Sequence, residues 1–410
     1  MTTSNSYNYN VTAAQILQEA MGIVGVYELG TTLNTTLVAD LLVTLNFMVK
    51  AFQARGYDFY RKRECTLFLQ DATSSYSLGR TGDHITLSAV KTEVATAASS
   101  GASTLVVDSI TGFGNTFDRD GIITSVKPGG AGAITLSGAL VTSSVAYMTS
   151  GRKILVYSSG DDSGVTFTIV GTDEDGSAVT EVITGPNTTT VYSTYEYKTV
   201  TSVTISGAAT GNIEVGQVGD FIGIELDDGT IQWTNIGAAV STTTITLITT
   251  LTDDVAVDNH VYTYTTKAPR PLEIIEARIH KSDDSETVLG MVSRMEYQML
   301  PIKTSAGTPN QAWFELLQTN AKLYIWPVCN NVKEYIKLTA HLSISDLDAS
   351  TDNFEIAPEF FEMLAWNLAV RLFPKFNKPI DQSVAALAIQ FAESAFRTMG
   401  EPDSIFIGVR

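Results

Sequence analysis

The sequence predicts an α+β multidomain protein, with a helical core built from both ends of the chain and all-β domains inserted between them. Three observations predict it. Apolar residues recur at helical spacing near both termini. From about Ser103 to Thr266 that period gives way to short Val/Ile/Thr/Tyr runs separated by glycine turns. Finally, 410 residues exceed what one ordinary core accommodates.

The N-terminal segment opens with Thr12-Ala-Ala-Gln15, the spacing of a capping box. Ile16, Leu17, Ala20, Met21 and Val24 follow on one helical face, and Gly22 and Gly25 mark its end. A second stripe, Leu37, Leu41, Leu42, Leu45, Met48, Val49 and Phe52, closes at Gly56. Asp40, Asn46 and Lys50 interrupt it, so it reads as an amphipathic helix and not a membrane span. The run Arg61 to Leu69 then turns from charged to strand-like.

In the middle, Asp175-Gly176 and Asp228-Gly229 each sit between strand-like runs and predict hairpins. The β region reads as nested. Thr104 to Phe113 continues naturally at Val218 to Trp233, and onward through Thr243–Leu247 and Val261–Tyr264. Residues 114–217 are then a splice with their own strands, suited to an immunoglobulin-like sandwich without a disulfide. The expected domains are 1–95 with 267–410 (helical core), 96–113 with 218–266 (small barrel-like domain) and 114–217 (nested sandwich). In the last segment, Lys322–Trp326 and Tyr335–Ala340 read as a hairpin. Pro358 and Pro379 each open a helix. The apolar tail Ser404 to Arg410 cannot bury itself alone.

Composition restricts function. Hydrophobic residues make up 44% and charged residues 17%, which supports buried cores. A net charge of -18 disfavours broad phosphate contact by the outer surface, but suits a wall past which DNA slides without sticking. Two cysteines, Cys65 and Cys329, imply no disulfide framework. No signal peptide precedes Asn10, so synthesis in the cytoplasm is expected. His84, His260, His280 and His341 are scattered without metal spacing. Gly129-Gly130-Ala131-Gly132 lacks the lysine of a phosphate loop, and Asp173-Glu174-Asp175-Gly176 fails the calcium-loop pattern. No catalytic, cofactor-binding or metal-binding set is therefore expected, nor any cofactor. Trp233, Trp313, Trp326 and Trp366 read as core anchors before they read as a sugar platform.

Two candidate surfaces remain. Arg55, Arg61, Lys62 and Arg63 form the one dense cationic run, interleaved with Tyr57, Phe59 and Tyr60. They could face DNA or an acidic partner, or end a solvated helix before aromatic core residues. Ile405, Phe406, Ile407, Val409 and Arg410 form a candidate interface in the tail.

A resemblance enters at eight stretches. Ala13 to Gly22 and Leu45 to Gly56 resemble the opening helices of head-to-tail adaptor (connector, tail accessory) proteins of short-tailed bacteriophages. Gly307 to Asn310, Lys322 to Pro327, Ser345 to Asp348 and Phe354 to Ala369 resemble the same group. Gly151 to Asn187 and Lys198 to Ile205 look like an immunoglobulin-like module inserted in phage structural proteins. The order of these stretches carries the resemblance. It implies a helical adaptor core and a structural, non-enzymatic virion protein of the phage neck. Its copies would form a homo-oligomeric ring, a dodecamer, docked on the portal protein. The ring would extend the channel through which DNA passes and offer a platform for the next tail or nozzle protein, with no membrane partner. The alternative is a carbohydrate-binding receptor or tail-fibre protein, and a third reading is a virion-borne glycan hydrolase.

Overall fold

A computed structural model describes residues 9–27 and 34–399. It overturns the expected helical core. Strands hold 39% of the protein and helices 19%. The error lies in residues 62–95 and 271–342, which the sequence reading gave to the helical part and which hold mainly strands. Strand character was legible there only at Arg61–Leu69, Lys322–Trp326 and Tyr335–Ala340; the other strands are short and broken by turns, so their period does not stand out against the helical flanks.

The described helices are α1 (Ala13–Val24), α2 (Thr35–Ala54), α3 (Arg294–Gln298), α4 (Phe361–Leu372) and α5 (Gln382–Thr398). The chain divides into two compact units, residues 1–62 with 341–410 and residues 63–340.

The first unit is helical. Thr12 caps α1 with the expected reciprocal box: its Oγ1 accepts from Gln15 N at 3.3 Å, and Gln15 Oε1 accepts from Thr12 N at 2.8 Å. Gly25 ends α1 in the left-handed conformation, φ 72°. Pro358 opens a 3-10 turn that runs into α4, and Asp381 caps α5. One core joins both chain ends: Leu17, Leu45 and Met48 pack in the same cluster as Phe360, Leu364 and Leu368. α2 is the one described helix long and apolar enough to cross a membrane. Much of its apolar content goes into this core, through Leu41, Leu45, Met48, Val49 and Phe52.

The second unit is built from sheets. Both predicted hairpins form: Thr166–Thr172 pairs with Ala178–Thr184, and Phe221–Glu225 pairs with Ile231–Asn235. A six-stranded sheet runs from Ile231–Asn235 to Thr244–Thr246. The bridge between Ile236 and Leu247 brings its two edges together, as a small barrel requires. The nested region forms an eight-stranded sheet around Ile122, Ile154, Phe167, Val203 and Val215. Its two long strands, Val145–Ser158 and Thr190–Ile205, pair with register shifts, which let a single hydrogen-bonded sheet bend around its core. The remaining sheets have five and four strands. Lys322–Trp326 and Tyr335–Leu342 are both strands but not a hairpin, since they belong to different sheets. Pro327 cannot donate to a ladder, and the segment after it leaves the sheet.

Leu364, fully buried in the helical core, tests the joining of the chain ends. Leu364→Ala is expected to destabilise the helical unit by about 2–5 kcal/mol. Denaturant titration followed by helical circular dichroism measures this.

Candidate assembly surface

The helical unit buries less than its composition allows. α4 is its central helix, buried through Leu364, Leu368 and Leu372. Asn367 Nδ2 donates to Ala388 O of α5 at 3.0 Å, and Trp366 lies 5.8 Å from Phe391. Yet α5 fully buries only Ala388 and Ala395. Ile389 remains 60% exposed and Phe396 50%. On α2, Val43 is 51% and Phe47 68% exposed, one helical turn apart on the face away from Leu41 and Leu45. These helices are apolar on two sides. A monomer gains nothing from the second side, which marks contact surface. A cleft of about 320 Å³ between α1 and α4 adds Tyr9, Ile16, Phe361 and Trp366, with Glu19 and Glu362.

The cationic run is largely consumed within its own unit. Arg61 Nη2 donates to Ser343 O at 3.2 Å and lies 3.1 Å from Glu355, and Lys62 Nζ lies 3.3 Å from Asp58. Arg55 and Arg63 are exposed. Phe59 is buried and Tyr57 half-buried among Phe52, Phe396 and Phe360, so these two interleaved aromatics pack into the core, while Tyr60 stays exposed. Ile405, Phe406, Ile407, Val409 and Arg410 lie outside the described residues.

The sheet unit holds a second notable cluster, at the splice of the nested module. Arg152 and Asp220 are an ion pair at 2.8 Å with side chains 1% exposed. Arg152 Nη2 also donates to Thr265 O at 2.5 Å, and its guanidinium lies 4.8 Å from the centre of the Phe221 ring. Asp220 accepts from Thr116 Oγ1 at 2.7 Å and Thr265 Oγ1 at 3.0 Å. Burial pulls the Arg152 pKa down, and the Asp220 carboxylate opposes it. A Cβ on Gly114 would fall 2.1 Å from Asp220 Oδ2, so the chain enters the nested module where only glycine leaves that carboxylate its room. Desolvation makes such a pair poor at adding net stability, but its geometry specifies how the module is held.

Nothing in these clusters resembles a reaction centre. Among the described residues no group of three or more His, Cys, Asp or Glu is placed to hold a metal ion. Burial pushes the Cys65 thiol up to about 12 and that of Cys329 to about 11, which suppresses thiolate chemistry. His84 stacks on Trp233 with ring centres 3.8 Å apart and sits 2.6 Å from the Tyr264 hydroxyl. Its burial keeps it neutral. Trp313 stacks on Tyr324 at 4.5 Å, a core role as its sequence context suggested. Tyr147 and Tyr195 of the nested module are exposed, and among the described residues neither stacks on another ring. No protein-family model matches this chain, and no curated protein does.

Removing one partner of the buried pair should be costly: Asp220→Ala leaves the Arg152 charge unpaired and is expected to cost about 3–5 kcal/mol. Asp220→Leu with Arg152→Met should cost less than either change alone, a comparison that thermal melts can make. Burial and the nearby Lys91 and Lys333 lower His260 to about 4, below its ordinary 6.5. The stability it contributes is therefore present above pH 6.5 and is lost as pH falls toward 4. Between pH 7 and 5, the melting temperature of His260→Gln is expected to fall less than that of the parent.

Proposed function

We propose that this chain is a structural subunit of a short-tailed phage particle: a head-to-tail adaptor whose copies form a ring beneath the portal. The single observation that carries this reading is the second, exposed apolar face on each of α2 and α5. A ring subunit makes head-to-tail contacts and so needs two different faces, and one small helical unit offers both.

The charge balance supports the reading. With a net charge of -18, a ring of many copies presents DNA with little to adhere to. Buried thiols and the neutral, ring-stacked His84 are consistent with a structural part. Portal docking falls to the apolar tail Ile405–Ile407 in this reading.

The mass of the purified chain in solution, alone and with the portal protein of its phage, tests the function. Rings of many 44.1 kDa subunits are expected, directly or on portal. Deleting residues 403–410 should abolish portal docking and leave the melting profile unchanged. A chain that stays at 44.1 kDa under both conditions excludes the adaptor. Binding of host glycans by that monomer would point instead to a receptor.

A further inference from the structure

The nested module has a core of its own. Its apolar cluster, from Ile122 to Val215, draws every member from residues 122–215. Polar and charged contacts join the module to the rest of its unit at two places. The first is the chain crossing, where Arg152 pairs with Asp220 and Ser150 Oγ donates to Thr265 O at 2.9 Å. The second is the tip of the hairpin between Thr166–Thr172 and Ala178–Thr184.

That tip is the Asp173-Glu174-Asp175-Gly176 turn, which fails the calcium-loop pattern and serves another end. Asp173 Oδ1 accepts from Asp175 N at 3.0 Å and from Ser177 N at 2.8 Å, which fixes the turn. Glu174 then lies 2.7 Å from Arg80 Nη1, and Asp175 accepts from Thr81 Oγ1 at 2.7 Å. On the module's own side, Gly151 N donates to Glu174 Oε2 at 2.5 Å, and Lys198 Nζ lies 3.4 Å from Oε1. These partners leave the Glu174 side chain 6% exposed. Beside it, Lys267 Nζ lies 3.6 Å from Glu196 of the module and donates to Gly82 O at 3.1 Å. The seam thus sets Glu174, Asp175 and Glu196 of the module against Arg80 and Lys267 of the rest.

The receiving loop is stiff. Asp83 Oδ2 accepts from Ser77 N at 2.6 Å, and Asn320 Nδ2 donates to Thr81 Oγ1 at 3.0 Å. A Cβ on Gly82 would fall 2.3 Å from Ser77 O, so the loop closes tightly on its own strand. Motion between two bodies is the default where their interface is polar, unless specific contacts stop it. Attachment at the crossing alone fixes one point, about which a rigid body tilts. The hairpin tip supplies a second point. We propose that Glu174 and its socket are a latch: the nested module is an arm that hinges at its two chain crossings, and the Arg80–Glu174 and Thr81–Asp175 contacts hold it in one orientation. Ion pairs suit a latch, because they fix position while contributing modestly to stability, so they part without unfolding either side. The latch does not depend on the ring reading.

Distances across the seam of the full chain test it, measured between spin labels on Val182→Cys in the module and Val257→Cys outside it. These side chains are 62% and 50% exposed, and the native Cys65 and Cys329 are buried and do not label. Dilution with unlabelled chain keeps the measured distance within one copy, whatever the assembly. The parent is expected to give one narrow distance distribution. Arg80→Ala leaves Glu174 its Lys198 and Gly151 contacts, and should broaden that distribution about twofold. Glu174→Gln should broaden it as well, and Arg80→Lys should keep the parent's distance. A distribution already broad in the parent overturns the latch, because the seam then holds nothing. A narrow distribution unchanged in both Arg80→Ala and Glu174→Gln also overturns it, because the crossings then suffice. Loss of the sheet circular dichroism in Arg80→Ala overturns it too, because the contact is then part of the fold and cannot open by itself.

Discussion

Everything in the helical unit depends on one constraint: the two ends of the chain must bury their apolar stripes against each other. Neither end suffices. α1 and α2 expose Leu17, Leu45 and Met48 unless residues of the last part of the chain cover them, and α4 has the same need for Leu364 and Leu368. Polar contacts set the register of the closure. The side-chain amide of Asn46 donates to Leu347 O at 2.9 Å and accepts from Leu347 N at 3.0 Å. Lys378 donates to Val24 O at 3.0 Å and Gly25 O at 2.9 Å, satisfying carbonyls at the end of α1.

Such closure spans nearly the whole chain, yet its entropic cost is moderate. Closing a flexible loop of that length costs about 5 kcal/mol, since the cost grows only with the logarithm of length. The folded sheets reduce it further. Lys62–Phe68 and Tyr335–Leu342 are neighbours in the five-stranded sheet, so the sheet unit itself holds the ends of the long excursion together. The same logic recurs at smaller scale. The nested module leaves and re-enters near Gly114 and Gln217, and the buried Arg152–Asp220 pair anchors it there. Gln217 Nε2 donates to Thr116 O at 2.7 Å, tying entry to exit.

Function on this account comes from unfinished burial rather than from a pocket. α5 is amphipathic yet nearly unburied, and α2 is apolar on two sides. Sheet residues instead spend their charged and aromatic groups on internal order. His84, Trp233, Tyr264, Phe68 and Phe221 form a continuous ring cluster in which burial holds both His84 and Tyr264 in their uncharged forms. Groups committed in this way are unavailable for proton transfer.

By itself the sequence determined the local elements whose cause is local. Thr12 and Gln15 form a capping box because three residues separate them, and Asp175-Gly176 turns a hairpin because glycine accepts positive φ there. The helical stripes of α1, α2 and α4 were readable for the same reason. Only the tertiary structure decided which strands pair. Tyr335–Leu342 lies beside Lys62–Phe68 and not beside Lys322–Trp326, because strand partners are chosen by burial on both faces and not by proximity in sequence. Tertiary structure also decided the balance of classes, turning an expected helical core with inserted β domains into a protein that is mostly sheet. The surface followed the same division. Arg61 and Lys62 looked free as a charged run, but Glu355, Ser343 and Asp58 engage them. The exposure of Val43, Phe47 and Ile389 was likewise decided by packing, since a side chain's exposure depends on neighbours that arrive from far along the chain.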